Sequence, residues 1–284
     1  MQSYKIRKRI SFPRLMMTLA AVAVGILIVA VIIAYACGVR YISSEGASGI
    51  KVRFFGTVDS DGEPKSGMLS YSDGTSARVS DDGSIVYSSG DVYTGQLSGM
   101  LKNGNGRLVC ANGDTYEGSF RDDVIDGVGV LHASGDTYEG SFKDGKFDGE
   151  GTYTSSNGDV YKGSFKDGKR DGTGTLTYAN GDTYTGTYKS NMKNGQGTYT
   201  WASGDTYTGA YVDDVREGHG TYTWANGESY TGEWKDNYMN GEGSFSWPSG
   251  RVYTGHFENG VIVRTDDTSG DAAESNTSVP TPTE

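Results

Sequence analysis

Apolar and polar residues alternate along most of this chain, with the period of two that is typical of a half-buried β-strand. In the stretch GDTYEGSFKDGKFDGEGTYTSSN (residues 135–157), tyrosine, glycine and phenylalanine share one face, and glutamate and serine share the other. A turn at Asp144-Gly145 separates this strand from a second one, which carries Gly151 and Tyr153 on one face. The pattern therefore predicts a β-hairpin.

The same hairpin occurs eight times at a nearly constant period. Each unit is anchored by a tyrosine, and successive anchors are equally spaced, except that the interval from Tyr116 to Tyr138 is shorter by a single residue. The anchors are Tyr93, Tyr116, Tyr138, Tyr161, Tyr184, Tyr207, Tyr230 and Tyr253. A fixed period in this range indicates a repeat array, in which each unit buries its apolar face against its neighbours. We expect an all-β fold: one elongated, single antiparallel sheet of stacked β-hairpin repeats.

Glycine has two predicted roles in this sheet. Asn-Gly pairs between units, as at Asn157-Gly158, favour a tight turn with positive φ at both central positions. A glycine two residues after each anchor, such as Gly118 after Tyr116, leaves bare backbone over which an aromatic ring can lie flat. We expect the tyrosine hydroxyls at the wet margin of the sheet.

These residues resemble the MORN repeat (membrane occupation and recognition nexus), because Tyr-x-Gly-x-aromatic is followed by a turn and then by Gly-x-Gly. The resemblance covers residues 90–263, and residues 67–89 contain degenerate half-repeats. It implies a twisted β-hairpin solenoid that associates with proteins or lipids and often dimerises, and it does not imply an enzyme. We therefore expect a non-enzymatic scaffold with a protein partner and with a capacity for self-association.

The N-terminal segment predicts a membrane anchor that precedes the sheet as one transmembrane helix. Residues 1–14 carry five Lys or Arg and no acid, and residues 15–37 follow without a charged side chain. An apolar segment of this length spans a bilayer core of about 30 Å, and the cations before it place residues 1–14 in the cytoplasm. The repeats would then be extracytoplasmic, in a single-pass protein of the cell membrane. The alternative is a secretory signal cleaved after Ala36, because Ala34-Tyr35-Ala36 fits the small-x-small rule.

The segments that flank the array differ from it in composition. Residues 38–66 form a spacer, within which the apolar stretch 50–58 is a candidate capping strand for the open end of the array. Residues 264–284 have almost no apolar side chains, contain two prolines and carry more acids than bases. We expect this tail to be disordered.

Charge and residue usage limit the chemistry of the array. The chain has a net charge of −11 although its N-terminal arm is basic, so the remainder is strongly acidic. Nucleic acids and anionic lipid headgroups both require clustered cations, and we do not expect them as ligands of the array. The two cysteines provide no disulfide framework, and the three histidines occupy different repeat positions. No metal, cofactor or catalytic site is predicted.

An acidic residue follows every turn between units except the last, and this row of acids allows two interpretations. Such a row could bind cations such as calcium along one margin. Alternatively, each carboxylate accepts backbone N–H groups and fixes its turn, which is the interpretation that we favour. The row consists of Asp91, Asp114, Asp136, Asp159, Asp182, Asp205 and Glu228.

A ladder of large aromatic residues is confined to the last units. Trp201, Trp224 and Trp247 occupy the same position in three successive units. They either fill a wider trough or form an exposed surface on which a partner can stack, and both interpretations remain open. A protein is the expected partner, and a glycan or cell-wall ligand is the alternative. The candidate binding residues are Trp201, Trp224, Trp247, Trp234, Tyr199, Tyr222 and Phe245.

Overall fold

The structure is a computed structural model that describes residues 27, 30, 32–33, 35–45 and 49–263. No helix within this described part is long and apolar enough to cross a bilayer. Most of the predicted anchor, residues 15–37, lies outside the described residues, as do the basic arm and the acidic tail.

The chain divides into two compact units. Unit 1 runs to Ala111 and includes Arg121–Asp123, whereas unit 2 comprises Asn112–Phe120 and the residues from Val124 onward. The strands of unit 1 are β1 (Val39–Glu45), β2 (Lys51–Val58), β3 (Pro64–Tyr71), β4 (Ser76–Val79), β5 (Ser84–Tyr87), β6 (Val92–Ser98) and β7 (Leu101–Val109). The strands of unit 2, except for the last residue of β8, are β8 (Thr115–Arg121), β9 (Val124–Ala133), β10 (Asp136–Lys143), β11 (Lys146–Thr154), β12 (Val160–Lys166), β13 (Lys169–Thr177), β14 (Thr183–Lys189), β15 (Met192–Thr200), β16 (Thr206–Val212), β17 (Val215–Thr223), β18 (Ser229–Lys235), β19 (Tyr238–Ser246), β20 (Val252–Glu258) and β21 (Val261–Ile262).

Unit 1 is an antiparallel meander from β1 to β7, in which each strand pairs with the next. The predicted capping stretch forms β2, and the degenerate half-repeats form β3, β4 and β5. The sequence pattern does not predict β1, which pairs with β2 along its whole length. The core of this unit is aliphatic as well as aromatic, because Phe54, Leu69, Val79 and Ile85 are almost fully buried.

Unit 2 repeats one hairpin, and from β9 to β21 each strand again pairs antiparallel with the next. Tyr138 lies opposite Tyr153, which in turn lies opposite Tyr161, so the inward rings form continuous rows across the strands. A register shift between Gly140 and Phe142 recurs in the first strand of the later hairpins. Such bulges increase the twist of a sheet. The prediction of an all-β fold built from antiparallel hairpins is confirmed within each unit.

The anchor tyrosines cover pairs of glycines that face each other across two strands. Gly140 lies opposite Gly151, and a Cβ on Gly151 would lie 2.5 Å from the Tyr138 hydroxyl and 2.6 Å from the ring carbons. The prediction that rings lie over bare glycine backbone is therefore confirmed. The predicted wet-margin position of the hydroxyl is wrong, because Tyr138 is only 1% exposed and its hydroxyl donates to the Ser141 carbonyl at 2.9 Å. Burial raises the pKa of Tyr138 to about 12.

The turns within a repeat have the geometry that was predicted for the Asn-Gly turns between repeats, and the Asn-Gly turns have a different one. Positive φ at both central positions occurs inside the repeat, as at Asp144 (49°) and Gly145 (76°). At the Asn-Gly turn only Gly158 has positive φ (96°), and its amide donates to the Ser155 carbonyl at 2.9 Å. This geometry is a type I turn followed by a left-handed glycine, which needs one more loop residue than the tight turn does. The Asn157 side chain fixes it by accepting from the Asp159 amide at 3.0 Å.

The single shortened interval of the repeat, between Tyr116 and Tyr138, has a local structural cause. Between β9 and β10 the loop consists of Ser134 and Gly135 alone, with φ of 54° and 89°. Here the chain uses the two-residue turn with positive φ at both positions. One residue is therefore missing from the loop, and the pairing of Tyr138 with Leu131 on the buried face is preserved.

Candidate functional site

The acidic row connects each repeat to the next one. Asp159 Oδ1 accepts from the Ala179 amide at 2.9 Å, and Asp182 Oδ1 accepts from the Ala202 amide at 2.8 Å. Tyr199 donates its hydroxyl proton to Asp182 Oδ2 at 2.8 Å. Burial of the carboxylate opposes ionisation, but these hydrogen bonds outweigh it and lower the pKa of Asp182 below its usual value.

The six aspartates of the row thus act structurally, but each fixes the turn of the following unit rather than its own turn alone. The same contact recurs for Asp91, Asp114, Asp136 and Asp205. Glu228 does not make this contact, because the equivalent residue of the next turn is Pro248, which has no amide proton. Within the part of the chain that the structure describes, no group of three or more His, Cys, Asp or Glu is placed to hold a metal ion.

Two adjoining cavities on the aromatic face of unit 2 form the candidate site, which we call the aromatic groove. The larger cavity measures 640 Å³ and the smaller one 330 Å³, and Lys193 and Asp214 line both. The aromatic lining comes from Phe147, Tyr153, Tyr161, Phe165, Tyr178, Tyr199, Trp201 and Tyr211. Openings of this size with aromatic walls and a few polar groups are typical of binding sites.

Three cations line the aromatic groove at equivalent repeat positions. Arg170 and Lys193 line the larger cavity, and Lys193 and Arg216 line the smaller one. Each is the second residue of its strand and lies opposite an inward aromatic residue, as Lys193 lies opposite Tyr188. One strand lies between successive cations, so two interstrand spacings separate them, which corresponds to about 9.6 Å.

Each of the three cations lies over aromatic rings. The Lys193 ammonium is 5.1 Å from the ring centre of Tyr199 and 5.5 Å from that of Tyr211. The Arg170 guanidinium is 5.1 Å from the ring centre of Tyr188. Attraction between a cation and an aromatic face contributes about 0.5–2 kcal/mol, with the larger values at desolvated sites.

Lys193 is the central member of this row, and it is incompletely solvated. Burial lowers the pKa of its ammonium, although the nearby Asp214 carboxylate opposes this effect. Among the residues that the structure describes, its Nζ has no hydrogen-bond acceptor and no ion-pair partner. Asp214 Oδ1 instead accepts from the Lys193 main-chain amide at 2.8 Å. The geometry therefore leaves a positive charge available to a ligand in the groove.

The structure separates the seven candidate residues into those at the groove and those packed in the sheet. Tyr199 and Trp201 line the smaller cavity, and their ring centres lie 4.4 Å apart. Trp247 lies beneath the Arg251 guanidinium, 3.9 Å from the ring centre. Tyr199 and Trp247 are half-buried, whereas Trp201 is only 9% exposed, and Trp247 lines neither cavity of the groove.

The other four candidates are packed within the sheet. Tyr222 and Phe245 are fully buried, and Trp224 and Trp234 are 7% and 2% exposed. Trp224 contacts Tyr222 and Phe245, with ring centres 4.5 Å and 5.4 Å away. The Trp234 indole donates to the Gly220 carbonyl at 3.1 Å, as expected for a structural residue.

The cation row was not predicted from the sequence, although a signal for it exists. Alignment of the repeats at the second residue of the second strand reads Phe147, Arg170, Lys193, Arg216 and Met239. This position faces the aromatic side of the sheet, where a cation is costly unless rings or ligands compensate it. Three successive cations at an inward position are therefore the signal in the sequence that points to this groove.

The likeness of this chain to individual known proteins is weak. No curated protein matches the chain. The TCP domain of Drosophila melanogaster SAS-4 (dCPAP), solved in complex with a proline-rich motif of Ana2 (dSTIL), is 16% identical, with a TM-score of 0.30 over 68% of this chain and 91% of that one. A mutant TCP10 domain of Danio rerio CPAP is 11% identical, with a TM-score of 0.36 over 76% of this chain and 99% of that one. At these scores the likeness supports no inference about this chain.

The family comparison is specific. The MORN repeat model matches seven consecutive segments, which together span more than half of the chain. The segments are residues 93–115, 116–137, 138–160, 161–183, 184–206, 207–229 and 230–250. Each of the seven begins at an anchor tyrosine, so the family pattern coincides with the ring that covers the paired glycines. The chain belongs to the MORN repeat family.

Proposed function

We propose that this chain is a membrane-anchored, non-enzymatic scaffold that binds a protein partner in the aromatic groove of unit 2. The observation that carries the proposal is the row of three cations on an aromatic floor, in a groove of two adjoining cavities. Support for a non-enzymatic role comes from the acidic residues, because the aspartates of the row hold backbone amides of the next repeat. The acidic exterior outside the groove keeps the array soluble. The proposal also includes self-association, which the MORN repeat family allows.

The membrane anchor in this proposal is residues 15–37. The segment lacks charged side chains and follows five Lys or Arg, and its length matches the thickness of a bilayer core. This arrangement supports a single-pass orientation with residues 1–14 in the cytoplasm and the repeats outside.

A capture experiment with the full-length chain tests the binding function. Wild-type protein immobilised on beads should retain a protein from membrane extract, and Tyr178→Ala should reduce retention about tenfold because Tyr178 lines the larger cavity. Thr175→Ala is the matched control, since the Thr175 hydroxyl meets that of Thr185 on the opposite face. Equal losses in both variants, or retention of wall glycan in preference to protein, would contradict the proposed function.

Protease treatment of intact cells tests the orientation. Because residues 38–284 are proposed to lie outside, external protease should remove a C-terminal tag and leave an N-terminal tag intact. Protection of the C-terminal tag would reverse the topology, and a mature protein that begins at Cys37 would replace the anchor with a cleaved signal.

A further inference from the structure

We infer that the occupant of the aromatic groove is an acidic peptide of a partner protein, bound in the polyproline II conformation with an acidic residue at every third position. This inference rests on the proposed function and specifies its partner. Its basis is a match between the spacing of the groove cations and the pitch of that peptide conformation.

The cations of the groove favour an anionic ligand. The chain as a whole is acidic, but Arg170, Lys193 and Arg216 give the groove three cations against the two carboxylates of its lining, Asp159 and Asp214. Within the described residues Arg170 and Lys193 form no ion pair, and the rings beneath them exclude water from one side. A carboxylate that reaches these cations gains a charge-assisted hydrogen bond in a partly desolvated site.

The spacing of the cations defines the conformation of the peptide. Two strand widths separate neighbouring cations, so a ligand that runs across the strands meets one about every 9.6 Å. A polyproline II helix has three residues per turn and a rise of about 3.1 Å, so every third side chain returns to one face after about 9.3 Å. A β-strand presents one face about every 6.6 Å, and an α-helix needs seven residues, or about 10.5 Å, to return to the same face. The polyproline II repeat therefore follows the cations with the smallest drift.

The walls of the groove favour the same conformation. Tyr178, Tyr199 and Trp201 flank the cations, and polyproline II ligands dock on aromatic grooves because their backbone is already ordered. Phe147 occupies the repeat position one step before Arg170 and also lines the larger cavity. The recognised peptide should therefore place an apolar residue one turn away from its row of acids.

Fluorescence anisotropy with the full-length chain tests this inference. The probe is a labelled peptide of leucine and two prolines followed by three Glu-Pro-Pro triplets. The comparison peptide has the same composition, with its glutamates moved to alternate spacings of two and four residues. We expect at least about a tenfold weaker affinity for the rearranged peptide, and weaker binding of both peptides as salt is raised.

Variants of the chain identify the cation that carries the recognition. Lys193→Met keeps the apolar stem and should weaken the Glu-Pro-Pro peptide about tenfold, whereas Lys193→Arg should keep most of the affinity because it keeps the charge. Lys162→Met is the matched control, because Lys162 is exposed on the other face of β12. Melting curves of the variants show whether each is folded, and Arg170→Met repeats the test if Lys193→Met is not.

Several outcomes would overturn the inference. These are equal affinity for both peptides, tighter binding of a helical peptide with acids seven residues apart, and binding that is insensitive to Lys193→Met. Peptide affinity that rises about tenfold on removal of residues 265–284 would identify the chain's own acidic tail as the occupant. Apparent peptide affinity that falls as the concentration of the chain is raised would identify a second copy of the chain as the occupant. If neither peptide binds while capture still depends on Tyr178, the inference fails and the proposed function stands.

Discussion

Deletion of one whole period, residues 181–203, should leave a folded chain, whereas deletion of residues 181–191 should abolish the cooperative melting of unit 2. The whole-period deletion joins Asn180 to Gly204, which recreates an Asn-Gly turn of the kind found at Asn157-Gly158. Each remaining strand keeps its direction, its inward face and its neighbours. Repeat arrays lose only one unit and one interface in such a deletion.

The half-period deletion removes β14 and its turn but keeps β15. Every later strand then runs in the opposite direction, so the turns that were on one margin move to the other. The amide of Ala202 can no longer reach the Asp182 carboxylate, which is itself deleted, and the Asn191 amide is lost from the Arg170 carbonyl. These losses and the loss of the Tyr184 ring should lower the free energy of unfolding of unit 2 by about 5 kcal/mol or more. That amount is comparable with the whole stability of a domain.

Circular dichroism and thermal melting of the two deletion proteins measure this difference. A third protein that lacks residues 158–180, another whole period, is the matched control. A cooperative melt for the 181–191 deletion close to that of wild type would refute the hairpin array, since register and direction would then not matter.

The repeat period and the period-two alternation were sufficient to predict the strands of the repeats, because both can be read directly from the sequence, but they did not predict β1. The glycine under each anchor ring was predictable for the same reason, since Gly118 and Tyr116 share a face at a separation of two. The type of turn was not, because Asn-Gly is compatible with two loops that differ by one residue. Only the pairing register distinguishes the loop at Asn157 from the one at Ser134.

The groove was less predictable than the sheet. Lys193 and Arg216 look like ordinary solvated charges when each strand is considered alone, since lysine and arginine are usually exposed. Only the alignment of repeats shows that they occupy a ring-facing position. Conversely, the tryptophans look like an exposed surface because they are large and late in the array, but Trp224 and Trp234 fill space between neighbouring hairpins.

Trp224→Ala is expected to lower the stability of unit 2 by about 3–5 kcal/mol and to leave peptide affinity nearly unchanged. The ring is 7% exposed and packs against Tyr222 and Phe245, so its removal leaves a cavity among rings. Trp224 does not line the aromatic groove, and its buried indole N–H has no hydrogen-bond partner among the described residues. Trp224→Phe, which removes that N–H and keeps a ring, should therefore cost less than about half as much as Trp224→Ala.

Trp201→Ala is the matched comparison, because Trp201 occupies the preceding repeat position and lines the groove beside Tyr199. It should lower both the melting temperature and the affinity for the captured partner, since the same ring packs in the sheet and forms a wall of the groove. Thermal melts and binding isotherms on both variants separate packing from recognition. If Trp224→Ala melted like wild type but lost the partner, the indole ladder rather than the cation row would be the binding surface.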